Sequence, residues 1–277
     1  MSAILQVRDL SVHFRRSSLL DMLAGKAQVT RAVDAVSFEV EHGACTGLVG
    51  ESGCGKSTLS KTVMRLVKPT SGSVLFEGAD IHGLKGKRLF AYRRRVQMIF
   101  QDPLGALNPR LTAGETLEEV LSVHGVRSAA DRQARIRCLF DKVGLARDVS
   151  ARRPGALSGG QCQRIGIARA LAVEPDLIIA DESVSALDVS IQAQILNLLR
   201  ELRSDMGLTM IFVSHDLGVV RYLCDDIIVM NQGRIVERGD TDRIFERSVN
   251  PYTRSLIEAM PTLRSHERAM PFNVGFH

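Results

Sequence analysis

The sequence predicts an α/β fold with a mostly parallel sheet and helices on both faces. Three observations point to it. Short apolar runs of buried-strand type alternate with helical patterns through residues 176–239, as a parallel sheet with crossover helices requires. A similar run at 44–50 ends in a glycine-rich turn that opens a helical pattern. Between these regions, from about Asp102 to Pro154, strand-like runs vanish and helical spacing takes over, marking a separate helical lobe.

Taken in order, "ILQVRDLSVHF" (4–14) is rich in β-branched and alternating apolar residues and predicts a strand. "AVDAVSFEV" (32–40) alternates and predicts a second, after a connection, "RRSSLLDMLAGKAQVT", that carries no clear pattern. "ACTGLVG" (44–50) is the buried strand that leads into the glycine turn. "KSTLSKTVMRLV" has helical spacing from Lys56 to about Val67 and is stopped by Lys68-Pro69-Thr70. "GSVLFEG" and "RVQMIF" are short strands, and "GETLEEVLSVHG" and "RQARIRCLFDKVGL" supply the helical lobe. Alternation resumes with "DLIIAD" (176–181), "SIQAQILNLLRELRSDM" (190–206) and "LTMIFVSH" (208–215). "DDIIVMNQGRIVERG" (225–239) forms a hairpin turning at Asn231-Gln232-Gly233, and the chain after Met260 carries no strong pattern.

Composition bounds the function. With 277 residues, 45% hydrophobic and 24% charged, the chain suits one large domain, or a domain with a smaller lobe. No apolar run approaches the roughly 18 residues of a membrane span. The N-terminus meets Arg8 and Asp9 too early for a signal peptide, so a cytoplasmic location is expected unless something else carries the chain to a membrane. Five cysteines at irregular spacing, with no C-x-x-C, argue against a disulfide framework or zinc site and for a reducing compartment. The net charge of +5 comes mostly from arginine, with short clusters at Arg15-Arg16, Arg93-Arg94-Arg95 and Arg152-Arg153. No aromatic residues interleave with them as a base-stacking surface requires, so they suit a solvated surface and no nucleic-acid partner is expected.

The chemistry lies in a few stretches. Gly50-Glu51-Ser52-Gly53-Cys54-Gly55-Lys56-Ser57 matches G-x-x-x-x-G-K-[ST] between a buried strand and a helix, and Thr58 continues it. Its glycines let successive backbone N–H groups point at phosphate oxygens. Lys56 supplies a positive charge to the β- and γ-phosphates, and the Ser57 hydroxyl can ligate Mg²⁺. "DLIIADE" sends Asp181 and Glu182 to the carboxyl edge of the sheet, where Asp181 can hold Mg²⁺ and Glu182 can polarise the water attacking the γ-phosphate. His215 closes the next strand on the same edge and can donate to the γ-phosphate; Gln101 ends "RVQMIFQ" there too, its amide oxygen a ligand for Mg²⁺ or a water.

A second phosphate-grade helix start follows the helical lobe, in "LSGGQCQRIGIARAL" (157–171). One nucleotide cannot be gripped by two glycine turns on different lobes of one chain. Ser158, Gly159 and Gly160 are therefore expected to hold the γ-phosphate bound to a second subunit, with ATP as the glue between two chains.

With "GESGCGKST", Gln101 in "FQDP", "LSGGQ", "LIIADE", "SALD" (185–188) and His215 in this order, the chain resembles the ATP-binding-cassette (ABC) ATPases across almost its whole length. The resemblance implies a P-loop NTPase (RecA-like) core with a mostly parallel sheet, an N-terminal antiparallel β part and an inserted helical subdomain. The expected divisions are 1–101 and 158–245 for the ATP-binding core, 102–157 for the helical subdomain, and 246–277 for a C-terminal helix and tail. It also implies a head-to-tail dimer with ATP between the phosphate loop of one chain and Ser158–Gln161 of the other. Glu182 is then the general base, with His215 and Gln101 beside it, and Asp188 links the two sites. An aromatic residue at the end of the first strand usually stacks on adenine; Phe14 is the candidate, whereas Phe38 suits the core.

"FQDPLGALNPR", "LSGGQCQRIGIARAL", "DVSIQAQILNLL" and "NPYTRSLIEAMP" resemble the branch that imports oligopeptides, dipeptides, nickel and related solutes, in its second ATPase subunit. That implies two integral membrane permeases, an extracytoplasmic solute-binding protein, and a peripheral place on the cytoplasmic face of the inner membrane. Ser183 stands where most members have proline after the Asp-Glu pair; nickel-importing relatives also have a small residue there. No cysteine follows Cys224, so no iron–sulfur cluster is expected. Nickel import is the near alternative to peptide import. A soluble cassette acting on DNA or ribosomes is the distant one, disfavoured by a single phosphate loop and by a short stretch between Gln101 and Ser158. A GTPase would need N-K-x-D, which is absent, and a non-enzymatic sensor would be expected to lose Glu182.

Overall fold

The computed structural model describes residues 3–16, 28–184 and 188–260. Two sheets form its frame. The N-terminal strands β1 (Ala3–Arg16) and β2 (Gln28–Glu41) pair antiparallel, and β4 (Ser71–Phe76) and β5 (Ala79–Asp80) extend them in the order β2-β1-β4-β5. The second sheet has six strands. It contains β3 (Cys45–Val49), β6 (Val96–Ile99), β7 (Leu177–Asp181), β8 (Thr209–Ser214), β9 (Asp226–Asn231) and β10 (Arg234–Asp240), in the order β10-β9-β3-β8-β7-β6. From β9 to β6 all neighbours are parallel, and β10 alone runs antiparallel, as the far arm of the β9–β10 hairpin.

β3, β7 and β8 are buried along their entire length, which is why they read as mostly apolar runs. Their alternate residues serve two cores. Leu177 and Ile179 pack with Val7, Val36 and Phe38 under the antiparallel sheet, confirming Phe38 as core; Ile178 and Ala180 face the helices on the other side.

Among the described residues the α-helices are α1 (Lys56–Val63), α2 (Gly86–Arg95), α3 (Ala113–Val123), α4 (Ala129–Lys142), α5 (Gly159–Leu171), α6 (Val189–Met206), α7 (Leu217–Leu223), α8 (Thr241–Arg247) and α9 (Pro251–Glu258). Helix α1 stops four residues short of the expected end. Arg65 takes a left-handed φ of +56°, and the Leu66 and Val67 N–H groups both turn back to the Lys61 carbonyl. Helix α2, for which the sequence pattern predicts no element, ends in the arginine cluster. Arg95 there binds Glu77 at 2.5 Å and also pairs with Asp176, tying the start of β6 to both sheets.

Helices α3 and α4 lie within 102–157 and start on side-chain caps: Thr112 with Glu115 in a reciprocal capping box, and Ser128. Their apolar faces (Leu117, Leu121, Ile136, Phe140) join the same core as α5 and the sheet. No helix among the described residues is long and apolar enough to cross a membrane.

Candidate functional site

The glycine turn leaves the end of β3 with Gly50, Gly53 and Gly55 at φ +148°, +82° and +110°. Two of them are also sterically obligatory. A Cβ on Gly50 would lie 2.2 Å from the Met230 carbonyl oxygen, and one on Gly55 would lie 2.1 Å from that of Ala32. The loop is thus pressed against β9 and β2, with Cys54 buried and its carbonyl accepting from Gly233 N at 2.9 Å. Glu51, Ser52 and Gly53 are exposed on its outer side, while Ser57 and Thr58 are half-buried in the first turn of α1. Gly55 is the N-cap of α1 and offers no capping side chain, so the helix start is open to an anion.

Lys56 is buried with 4% of its surface exposed. Its ammonium donates to Gly50 O at 2.6 Å and Glu51 O at 3.0 Å, so the cation is folded into the turn of its own loop.

Beside the loop, Ser57 Oγ donates to Asp181 Oδ1 at 3.4 Å. Burial, and next the neighbouring Glu182 charge, push the Asp181 carboxyl above its ordinary range, against the pull of Lys61, Ser57 and Lys56. Glu182 follows at φ +45°, a conformation that a long side chain adopts only when its surroundings impose it. Its N–H donates to Val213 O at 2.9 Å, which pins the turn to β8. Its carboxylate accepts from Gln101 Nε2 at 2.8 Å and lies 3.6 Å from His215 Nδ1. Three strand ends (β6, β7 and β8) thereby meet on one carboxylate. A cleft of about 360 Å³ is lined by Gly50, Glu51, Ser52, Glu182, His215, Leu217 and Leu256. A larger one, about 750 Å³, runs from Asp181 and Gln101 to Val120 and His124 of the helical segment.

The structure brings Gln101, Asp181, Glu182 and His215 to one edge, and none of Ser158, Gly159, Gly160 or Gln161 lines either cleft. Ser158 caps α5, its hydroxyl accepting from Gln161 N at 3.3 Å while Gln161 Oε1 accepts from Ser158 N at 3.0 Å. Gly160 has a packing reason of its own: a Cβ there would meet Ile191 Cγ2 of α6 at 2.7 Å. Phe14 is 44% exposed on β1, opposite Thr30, and lines neither cleft. Asp188 is the exposed N-cap of α6; Ser185, Ala186 and Leu187 lie outside the described residues, as does the tail after Met260. Sequence reasoning gave no role to Tyr252 and Leu256 of α9, which reach the same loop. Their only signal was the stretch "NPYTRSLIEAMP", whose spacing says nothing of where the helix docks.

Comparison with known proteins bears on this arrangement. Residues 33–185 match the family model described as ABC transporter, and residues 236–273 match that of the oligopeptide/dipeptide transporter C-terminal region. A putative peptide import ATP-binding protein of Brucella ovis is 48% identical over 94% of this chain and 79% of its own length. The oligopeptide transport ATP-binding protein OppF of Streptococcus mutans is 48% identical over 93% of this chain and 82% of its own. Among solved structures, the ATP-binding cassette MJ0796, in a dimeric post-hydrolysis state bound to ADP and Pi, superposes with a TM-score of 0.75 at 29% identity, covering 86% of this chain and 98% of that one. CbiO1 of Clostridium perfringens, part of the transporter complex cbiONQ, gives the same TM-score at 27% identity over 90% and 93%. With a glycine loop, a carboxylate edge and a capped Ser-Gly-Gly helix start on a fold shared with these cassettes, the chain belongs to the ABC transporter family as an ATP-binding cassette.

Proposed function

We propose that this chain is the ATP-hydrolysing subunit of an importer of oligopeptides or dipeptides, and that the edge formed by Gln101, Asp181, Glu182 and His215 is its catalytic site. The observation that carries the chemistry is the Glu182 carboxylate, held between Gln101 and His215 beside the phosphate loop. ATP fits the loop: residues 50–58 form a curl that no Cβ could share at Gly50 or Gly55, with a buried ammonium inside it. Lys56 then turns its ammonium, with three N–H donors, from the loop carbonyls towards phosphate oxygens. Ser57, Asp181 and Gln101 offer the oxygen donors that suit Mg²⁺, and the cation when bound neutralises charge on the phosphate oxygens. Glu182 accepts a proton from the attacking water, Gln101 and His215 orient its carboxylate, and His215 donates to the γ-phosphate.

The peptide cargo is supported by the names of the relatives and by the match over 236–273. In this reading Ser158–Gln161 close over the nucleotide of a second, similar ATPase subunit in a head-to-tail dimer, and Asp188 links the two sites. Phe14 stacks on adenine. The ATP-binding core is 1–101 with 158–245, the helical subdomain 102–157, and the C-terminal helix and tail 246–277. The pair works on the cytoplasmic face of the inner membrane with two permeases and, indirectly, an extracytoplasmic solute-binding protein.

Glu182→Gln tests the chemistry. The amide keeps the shape and cannot take the proton, so turnover should fall about 10²–10⁴-fold while ATP binding persists. Gel filtration of the assembled complex with ATP should show a trapped dimer. Hydrolysis near the wild-type rate would remove Glu182 from the role of base.

A further inference from the structure

One peptide unit at the entrance to the phosphate loop is held at both ends. The Gly50 carbonyl accepts from Lys56 Nζ at 2.6 Å, and the Glu51 N–H of the same Gly50–Glu51 peptide donates to the Tyr252 hydroxyl at 3.1 Å. Tyr252 arrives from α9, 201 residues further along the chain.

Several contacts anchor α9 where it can do this. Asn250 caps the helix by accepting from Tyr252 N at 2.9 Å and donates through Nδ2 to Val236 O of β10 at 3.2 Å. The Glu237 carboxylate accepts from Ser248 Oγ at 2.6 Å and Val249 N at 2.9 Å. Tyr252, Leu256 and Ile257 pack against the core, and Leu256 lines the same cleft as Glu51, Glu182 and His215. The ring is therefore docked by packing and its hydroxyl is spent on a backbone N–H of the loop.

We propose that Tyr252 is a positioning residue for ATP: it holds the Gly50–Glu51 peptide in place while Lys56 turns from the backbone carbonyls of its loop to phosphate. This rests on the reading of residues 50–58 as the ATP site. The Lys56 ammonium has three N–H donors and spends them on Gly50 O, Glu51 O and, weakly, Cys54 Sγ, so reaching both the β- and γ-phosphates draws it off at least one backbone carbonyl. As it turns to the phosphates its hold on the carbonyl end of the peptide weakens, and the Tyr252 bond at the N–H end keeps the plane from turning. Without that bond, ATP binding itself must supply the ordering. By linkage, ATP held in the loop should in turn steady α9.

The test is Tyr252→Phe in the full-length chain, which keeps the ring and removes the hydroxyl. ATP affinity is measured by calorimetry, and KM and kcat in the assembled complex. Loss of one hydrogen bond should raise Kd and KM roughly 2–10-fold and leave kcat unchanged. A purely structural role would lower the melting temperature without that split. Amide exchange gives a second readout: Glu51 should be protected in the wild type and exchange faster in the variant, and ATP should slow exchange across 251–258. Lys56→Ala run in parallel separates the two ideas. If Lys56→Ala abolishes ATP binding and Tyr252→Phe matches wild type in Kd, KM and Glu51 exchange, the role of Tyr252 is overturned while the ATP site stands. If Lys56→Ala binds ATP as well as wild type, the ATP-site reading fails, and the inference with it.

Discussion

Replacing Gly55 by alanine tests how the phosphate loop is built. Gly55 sits at φ +110°, and its added Cβ would lie 2.1 Å from the Ala32 carbonyl oxygen and 3.3 Å from the carbonyl carbon. Both obstacles are backbone of β2 and cannot rotate aside. Backbone strain in such a region costs roughly 1–3 kcal/mol, and overpacking a closed contact adds about 1–3 kcal/mol. A loop that stayed in place would thus lose about 2–6 kcal/mol, a large share of the roughly 5–15 kcal/mol that stabilises an ordinary domain. Part of that cost is relieved by moving the loop off β2, and that relief appears as lost ATP affinity. Gly53 is the internal control: its φ is +82°, yet nothing lies within 4 Å of its Cβ position. Gly53→Ala should cost only the backbone term, about 1–2 kcal/mol. Urea unfolding and ATP calorimetry on both variants make the comparison. Equal midpoints and equal ATP affinities for the two would refute the claim that contact with Ala32 shapes the loop.

Other outcomes follow from the same geometry. Ser158→Arg should spare ATP binding by the isolated chain, since Ser158 lines neither cleft, but abolish dimer closure. In mixed complexes it should spoil only the site made with the partner's phosphate loop; loss of ATP binding by the isolated mutant would place the turn in its own chain's site. Glu77→Gln should lower stability at pH 7 by at most about 1 kcal/mol, because the pair with Arg95 is partly exposed and screened. Arg95 holds the Glu77 carboxyl below its ordinary value of 4.5, so this contribution is complete above that pH and lost as pH falls through the depressed folded value. Urea midpoints of the two proteins should therefore converge in acid, and a constant gap down to pH 3 would remove the ion pair as its cause.

How much of this was legible in the chain differs from element to element. The phosphate loop was readable because part of its demand is local: left-handed φ at Gly53 and Gly55 and an uncapped helix start require glycine at fixed spacing. The contacts with Met230 and Ala32 that also exclude a Cβ at Gly50 and Gly55 were not readable. The strands that present Asp181 and His215 were readable because burial on both faces makes them mostly apolar between turns. The meeting of Gln101, Glu182 and His215 followed one step later, since three parallel strands must end on one edge.

Tertiary structure alone decided the rest. Helix α2 has only Tyr92 fully buried, so an arginine-rich exposed surface hid its periodicity. Gly160 reads as part of an anion-binding turn, yet its lack of a side chain is also what lets α5 approach Ile191 of α6. Lys56 reads as a phosphate ligand, yet the folded chain gives it backbone carbonyls to hold meanwhile. The hydroxyl of Tyr252 on Glu51 could not be read from spacing at all, because nothing local in "NPYT" refers to a loop 201 residues away. Short-range conformational requirements write themselves into residue type and period; contacts between distant segments depend on how whole elements pack, and a single sequence records only that the surfaces are apolar enough to meet.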